Sequence, residues 1–142
     1  AFTGSSLSYV WAGDNEASFS PRNGLPTVLR AGQSAAASGI FLWGHDVGGY
    51  TGTASKELFM RWTQFGALSP LMHQFSMSNL GPWDYGEDGL TTYRTYARLH
   101  MSLFPYRYAL CHEAALKGYP LLRPMALAFQ SDARAADYTE QY

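Results

Sequence analysis

The sequence predicts an α/β fold of parallel strands and helical crossovers, forming part of an eightfold β/α barrel. Three observations carry that expectation. Strand-length apolar runs alternate with segments of helical period, in the order strand, helix, strand, helix, helix, strand. Alternation of this kind indicates parallel strands joined by right-handed crossovers. The run "IFLWG" is apolar throughout, as expected of a parallel strand covered on both faces. The length of 142 residues is well short of the ~250 that a complete eightfold barrel needs. Three strands with long connections therefore correspond to its last three-eighths, and residues 1–142 read as one partial domain.

The first strand is expected over residues 6–11, rich in Tyr and Val and ending at Gly13. A turn-like stretch, "NEASFSPRNG", follows, punctuated by Pro21 and Gly24. Helical period begins at Leu25 and continues through Val28, Leu29 and the alanines 35–37 to Ser38, with Gly39 as a C-terminal cap. After "IFLWG" comes the glycine-rich loop "HDVGGYTGTAS". Ser55 is placed to cap the next helix, "KELFMRWTQFGAL", and Glu57 in its first turn complements the helix dipole. Leu58, Phe59, Trp62 and Phe65 mark the buried face of that helix.

The stretch from Ser69 to Gly89 lacks periodicity and is long for a mere connector, which points to a loop that is functional or packed against a missing partner. Helix is expected again from Leu90, interrupted near Pro105, resuming over "YRYALCHEAALK" and closing at Gly118 and Pro120. "PLLRPMALAF" reads as the final strand.

Composition excludes several classes of function. A net charge of −1, without long runs of either sign, gives neither a nucleic-acid footprint nor a polybasic membrane anchor. The apolar runs are all far shorter than the ~20 residues a helical membrane span needs, and the N-terminus has no signal-peptide pattern. The single cysteine, Cys111, rules out an internal disulfide framework and reads as a small packing residue. His45, His73, His100 and His112 are scattered and fit no metal-ligand spacing, and no nucleotide fingerprint occurs. No metal or cofactor is expected. Ten tyrosines and four tryptophans beside few charges suit a deeply buried part of a larger protein, or a sugar-binding cleft.

Two acidic residues share one context. Asp14 follows "YVWAG" and Asp46 follows "IFLWGH", each with a tryptophan, Trp11 or Trp43, three positions earlier. In a β/α barrel, residues just past the strand C-termini face the active site. Both carboxylates and both tryptophans are therefore expected in one cleft. An apolar indole beside a carboxylate favours its neutral form, the form a general acid needs. Indole faces also stack on sugar rings. The same two aspartates equally suit Asx turns that brace the loops, and the pattern alone leaves both readings open.

The motifs "WAGDN", "GHDVGGY", "ELFMRW", "GALSPLM", "PYRYAL" and "GYPLLRPM" stand in the order and approximate spacing of glycoside hydrolase family 31, the α-glucosidase and α-xylosidase family. The resemblance spans Trp11 to Phe129. It implies the sixth to eighth strands of a (β/α)8 TIM barrel that acts as a retaining α-glycosidase on a carbohydrate substrate. By resemblance Asp14 corresponds to the general acid/base, and Asp46 to a residue binding sugar hydroxyls in the −1 subsite. Trp11 and Trp43 correspond to pocket walls, Tyr50 to an aromatic near the mouth, and the Arg61–Trp62 and Arg123–Pro124 pairs to scaffold. The family pattern Arg-x-His after "SPLM" is here His73-Gln74-Phe75, so in strict register Phe75 takes the histidine's place; a local shift would return His73 to the pocket. The nucleophile belongs to the fourth strand, upstream of these residues, so the remainder of the barrel is an implied partner. A non-catalytic sugar-binding relative is the alternative.

Overall fold

The computed structural model describes residues 8–142. Strand β1 (Val10–Trp11) pairs in parallel with β2 (Trp43–Gly44), in the register Val10 to Trp43 and Trp11 to Gly44. Flanking bonds from Val10 N to Leu42 O and from Ala12 N to Gly44 O, both 2.9 Å, extend the ladder. Positions 6 and 7 of the expected first strand lie outside the described residues. Helix α1 (Leu25–Ala37) supplies the crossover between the strands. It starts with Pro26 in the first turn, where a missing N–H costs nothing. It stops where Gly39 takes φ +82°. The Ile40 N–H then returns to Ala35 O and the Gly39 N–H to Ala36 O, which satisfies carbonyls left open by the helix end.

Helix α2 (Lys56–Leu68) is capped as its sequence suggests, with Ser55 Oγ accepting from Leu58 N at 3.3 Å. Its inner face, Leu58, Phe59, Trp62 and Phe65, joins Val28, Trp43, Val47, Tyr85 and Leu122 in the core. Full burial of side chains this large contributes about 1.5–3 kcal/mol each. Phe59 stacks on Tyr85 at 4.1 Å and on Tyr93 at 5.8 Å, which ties α2 to the next helices.

A 3₁₀ turn (Pro82–Tyr85) leads into α3 (Gly86–Ser102), and α4 (Phe104–Lys117) follows after the single residue Leu103. The break falls just ahead of Pro105, which takes a first-turn position of α4. Helix α4 ends at Gly118 in a left-handed conformation. Cys111 is a free, half-buried thiol whose pKa burial raises.

The final strand is not formed. Residues 120–124 are irregular, α5 (Met125–Ala128) is one helical turn, and a 3₁₀ segment (Ala133–Asp137) follows. Pro120 and Pro124 cannot donate to a ladder, and Met-Ala-Leu-Ala is made of good helix formers. The third parallel position is taken instead by the backbone at His73, which bridges Asp46 and accepts from Val47 N at 2.8 Å. That residue lies in the stretch without sequence periodicity. The architecture is a small α/β fragment of parallel strands with flanking helices, a partial (β/α)8 barrel.

Candidate active site

Strand alternation decides what reaches the site. Residues in register on neighbouring strands share a face, and successive residues alternate. Trp11 is opposite Gly44, so Trp11, Gly44 and Asp46 share one side, and the bridge from Asp46 to His73 adds the imidazole. The Trp11 Nε1–H donates to Asp46 Oδ2 at 3.2 Å. His73 Nδ1 lies 2.9 Å from Asp46 Oδ1. An ionised carboxylate only accepts, so Nδ1 carries the proton of that bond, and Nε2 of a neutral ring presents a lone pair. Trp11 and His73 meet edge to face, with centroids 5.2 Å apart. Asp46 is 5 % exposed, whereas its two donors remain open to solvent.

Trp43, His45 and Val47 alternate onto the opposite side, toward the helices. The two tryptophans expected in one cleft therefore lie on opposite faces of the sheet. Trp43 is buried in the core, against Gly32 of α1, where a methyl group would come within 2.7 Å of Cζ3. The one-residue offset in register is the cause. A shared Trp-to-Asp spacing within each strand says nothing about how the strands align with each other.

His45 was not singled out from the sequence as a site or scaffold residue, yet it anchors the strand end from behind. It is fully buried and stacks on Phe65 at 4.5 Å. Its Nδ1 accepts from Trp62 Nε1 at 3.0 Å, and Nε2 lies 3.0 Å from Ser69 Oγ, which in turn donates to Phe65 O. Because Trp62 can only donate, Nδ1 is bare and Nε2–H donates to Ser69. Burial lowers the pKa of His45 to about 3, so the ring is neutral. Its alternation with Trp43 and Val47 was the available sequence signal.

Asp14 lies beyond the end of β1 and is exposed. Its loop is fixed by its neighbour Asn15, which is buried and donates through Nδ2 to Asn23 Oδ1 at 2.9 Å. Asn15 O accepts the backbone N–H groups of Tyr50 (2.8 Å) and Thr51 (3.0 Å). Ala17 N donates to Thr51 O at 2.8 Å. The loop that presents Asp14 is thus stitched to the glycine-rich loop after Asp46. Gly49 is required at the seam. Its φ is +85°, and a Cβ there would come within 2.6 Å of Ala17 N. Tyr50 is half-buried, 5.7 Å from the exposed ring of Phe75, which contacts His73 at 5.9 Å.

The structure thus gathers Trp11, Asp46 and His73 into one cluster and links Tyr50 to it through Phe75. Asp14 is held on the adjoining loop, and Trp43 is set behind. Among the described residues no group of three or more His, Cys, Asp or Glu could hold a metal ion.

The family model for the glycosyl hydrolases family 31 TIM-barrel domain matches residues 1–110. An α-xylosidase of Emericella nidulans is 35 % identical over 133 residues, covering 93 % of this chain and 17 % of that protein. Neutral alpha-glucosidase C of Homo sapiens is 31 % identical over 137 residues, covering 94 % and 15 %. Among solved structures, the cycloalternan-forming enzyme of Listeria monocytogenes in complex with a pentasaccharide superposes with a TM-score of 0.86 at 32 % identity, over 94 % of this chain and 14 % of that one. A family 31 sulfoquinovosidase from E. rectale gives 0.76 at 35 % identity, over 89 % and 20 %. The chain therefore spans about a sixth of the length of the two curated relatives described. Its strand order, its six motifs and these matches agree, and the chain belongs to glycosyl hydrolase family 31, as part of the TIM-barrel domain.

Proposed function

We propose that residues 1–142 are the C-terminal portion of the catalytic barrel of a retaining α-glycosidase. In this reading the chain supplies the acid/base and part of the −1 subsite, and an upstream strand supplies the nucleophile. Asp14 protonates the departing glycosidic oxygen, then takes a proton from the water that releases the sugar. Its exposure on a loop pinned by Asn15 suits a group that must meet substrate and exchange protons twice. Asp46, with one donor on each oxygen, is held in a fixed orientation, and its remaining lone pairs are acceptors for sugar hydroxyls. Trp11 offers an indole face beside it, His73 an open Nε2, and Tyr50 an aromatic flank. Trp43 supports the pocket from behind. Neither a metal nor an organic cofactor has a part in this scheme.

The observation that most supports the reading is the buried Asp46 carboxylate, clamped by Trp11 and His73 at the strand ends of a family 31 barrel segment. The test is Asp14→Ala in the full-length enzyme. Turnover of natural glycosides is expected to fall at least ~10²-fold, and substrates with very good leaving groups should lose less in the glycosylation step. Equal losses on both substrate types would assign Asp14 a positioning role instead.

A further inference from the structure

The loop between α2 and the 3₁₀ turn builds a second feature beside the site. A groove of about 380 Å³ runs along it, lined among others by Gln74, Phe75, Asn79, Leu80, Trp83 and Tyr93. Trp83 is 71 % exposed although it is the largest side chain there. Its indole lies over the backbone of Gly81, where a Cβ would come within 2.2 Å of Cζ2 and 2.6 Å of Cη2. The ring borders two hollows, this groove and one along α3 lined by Leu90, Tyr93 and Arg94. A bare glycine is what allows the ring to lie down.

The loop is held for this purpose. Gln74 Nε2 donates to Leu80 O at 2.8 Å, and Asp84 Oδ2 accepts from Gly81 N at 2.7 Å. Asn79 takes φ +54°, a conformation rare outside glycine. Met77 N donates to Tyr50 O at 2.9 Å, which ties the loop to the glycine-rich segment. The groove also continues into the site, because Phe75 both lines it and contacts the His73 ring.

We propose that Trp83 is a stacking platform for an outer sugar of an α-linked oligosaccharide, beyond the residue held at Asp46. This rests on the α-glycosidase reading above. A preformed groove with a backbone-supported indole and amide side chains in its lining suits a pyranose ring. Such a ring presents apolar C–H groups on its faces and hydroxyls on its edge. Phe75 makes the groove continuous with the cluster around Asp46, so a chain extending from that cluster is the ligand the geometry favours over an unrelated apolar partner.

The test uses the full-length enzyme with Trp83→Ala and Trp83→Phe. The short probes are p-nitrophenyl α-glucoside and α-xyloside; the long ones are maltotetraose, isomaltotetraose and a xyloglucan heptasaccharide. For whichever long substrate is cleaved, Trp83→Ala is expected to lower kcat/KM about three- to tenfold, mostly through KM. The aryl glycosides should stay within about twofold, the lower part of that range, and Trp83→Phe should recover part of the loss. Equal losses on short and long substrates, or none on the long ones, overturn the proposal while leaving the glycosidase reading intact. Oligosaccharide binding to the Asp14→Ala protein, followed by tryptophan fluorescence, separates the two claims. A quench that disappears with Trp83→Ala in an enzyme inactive on every α-glycoside would keep the platform and sink the hydrolase reading. An enzyme that neither cleaves nor binds these sugars refutes both.

Discussion

Acidification is expected to loosen the unit that carries Asp46 through a single buried base, His45. In the folded protein burial keeps this ring neutral down to about pH 3, while in an unfolded chain it takes a proton near pH 6.5. Between those values the unfolded state binds more protons, so stability rises with pH across the window. The contribution is complete above 6.5 and is lost as pH falls toward 3. Once the unfolded histidine is protonated, the slope approaches ~1.4 kcal/mol per pH unit. Between pH 7 and pH 4.5 that amounts to about 2–3 kcal/mol, undiscounted because the ring is fully buried. The assay is urea unfolding of the full-length enzyme across this range, with His45→Gln beside the parent. Glutamine keeps both an acceptor for Trp62 and a donor for Ser69 but does not titrate. His100, whose pKa is also lowered by burial, contributes with the same sign in both proteins and cancels. The His45→Gln enzyme should show a flatter dependence on pH below 6.5. Parallel curves for the two proteins would refute the reasoning.

Asp46→Asn should raise KM for the −1 sugar and leave the shape of the pH–activity profile unchanged; a displaced acidic limb would make Asp46 a titrating catalytic group. In that variant the amide can still accept from Trp11 only if its NH₂ faces His73, so a neutral imidazole should move its proton to Nε2, an expectation that ¹⁵N shifts can check. Gly49→Ala, which forces a side chain into the left-handed region and against Ala17, should cost about 1–3 kcal/mol and lower turnover with it. A thermal midpoint and kcat equal to the parent's would dismiss the seam as unimportant. Residues 1–142 expressed alone should aggregate and lack activity, because Phe104, Tyr106, Tyr108 and Leu116 of α4 are 57–83 % exposed. A sharp, reversible thermal transition from a monomer would contradict this.

The helices were legible because their signals are local. Ser55, Glu57 and the Leu58-Phe59-Trp62-Phe65 face specify α2 without reference to anything else, and Gly39 ends α1 by its own backbone freedom. The pairing of Asp46 with a tryptophan and a histidine was legible only in part. Which tryptophan faces the carboxylate depends on inter-strand register, a relation between segments that a motif inside one segment does not contain. His73 was ambiguous for the same reason, since its place follows from one backbone bridge in a stretch without periodicity. The strand expected at residues 120–129 failed because an apolar run of that length does not reveal its period. There two prolines and the helix-forming Met-Ala-Leu-Ala decided the outcome.

The backbone seam between residues 15–17 and 49–51 has a consequence for anyone recombining barrels of this family. Asn15 O serves two amides of the other loop, Ala17 N is satisfied by Thr51, and Gly49 leaves just enough room for Ala17. Each loop is therefore a template for the other, with hydrogen bonds and clearances shared across the seam. A chimera that imports a foreign loop after one strand while keeping the native loop after the next would bring together two surfaces never selected to interlock. Transplanting the loops as a matched pair preserves the mesh, so the natural unit of exchange in this barrel is two loops wide.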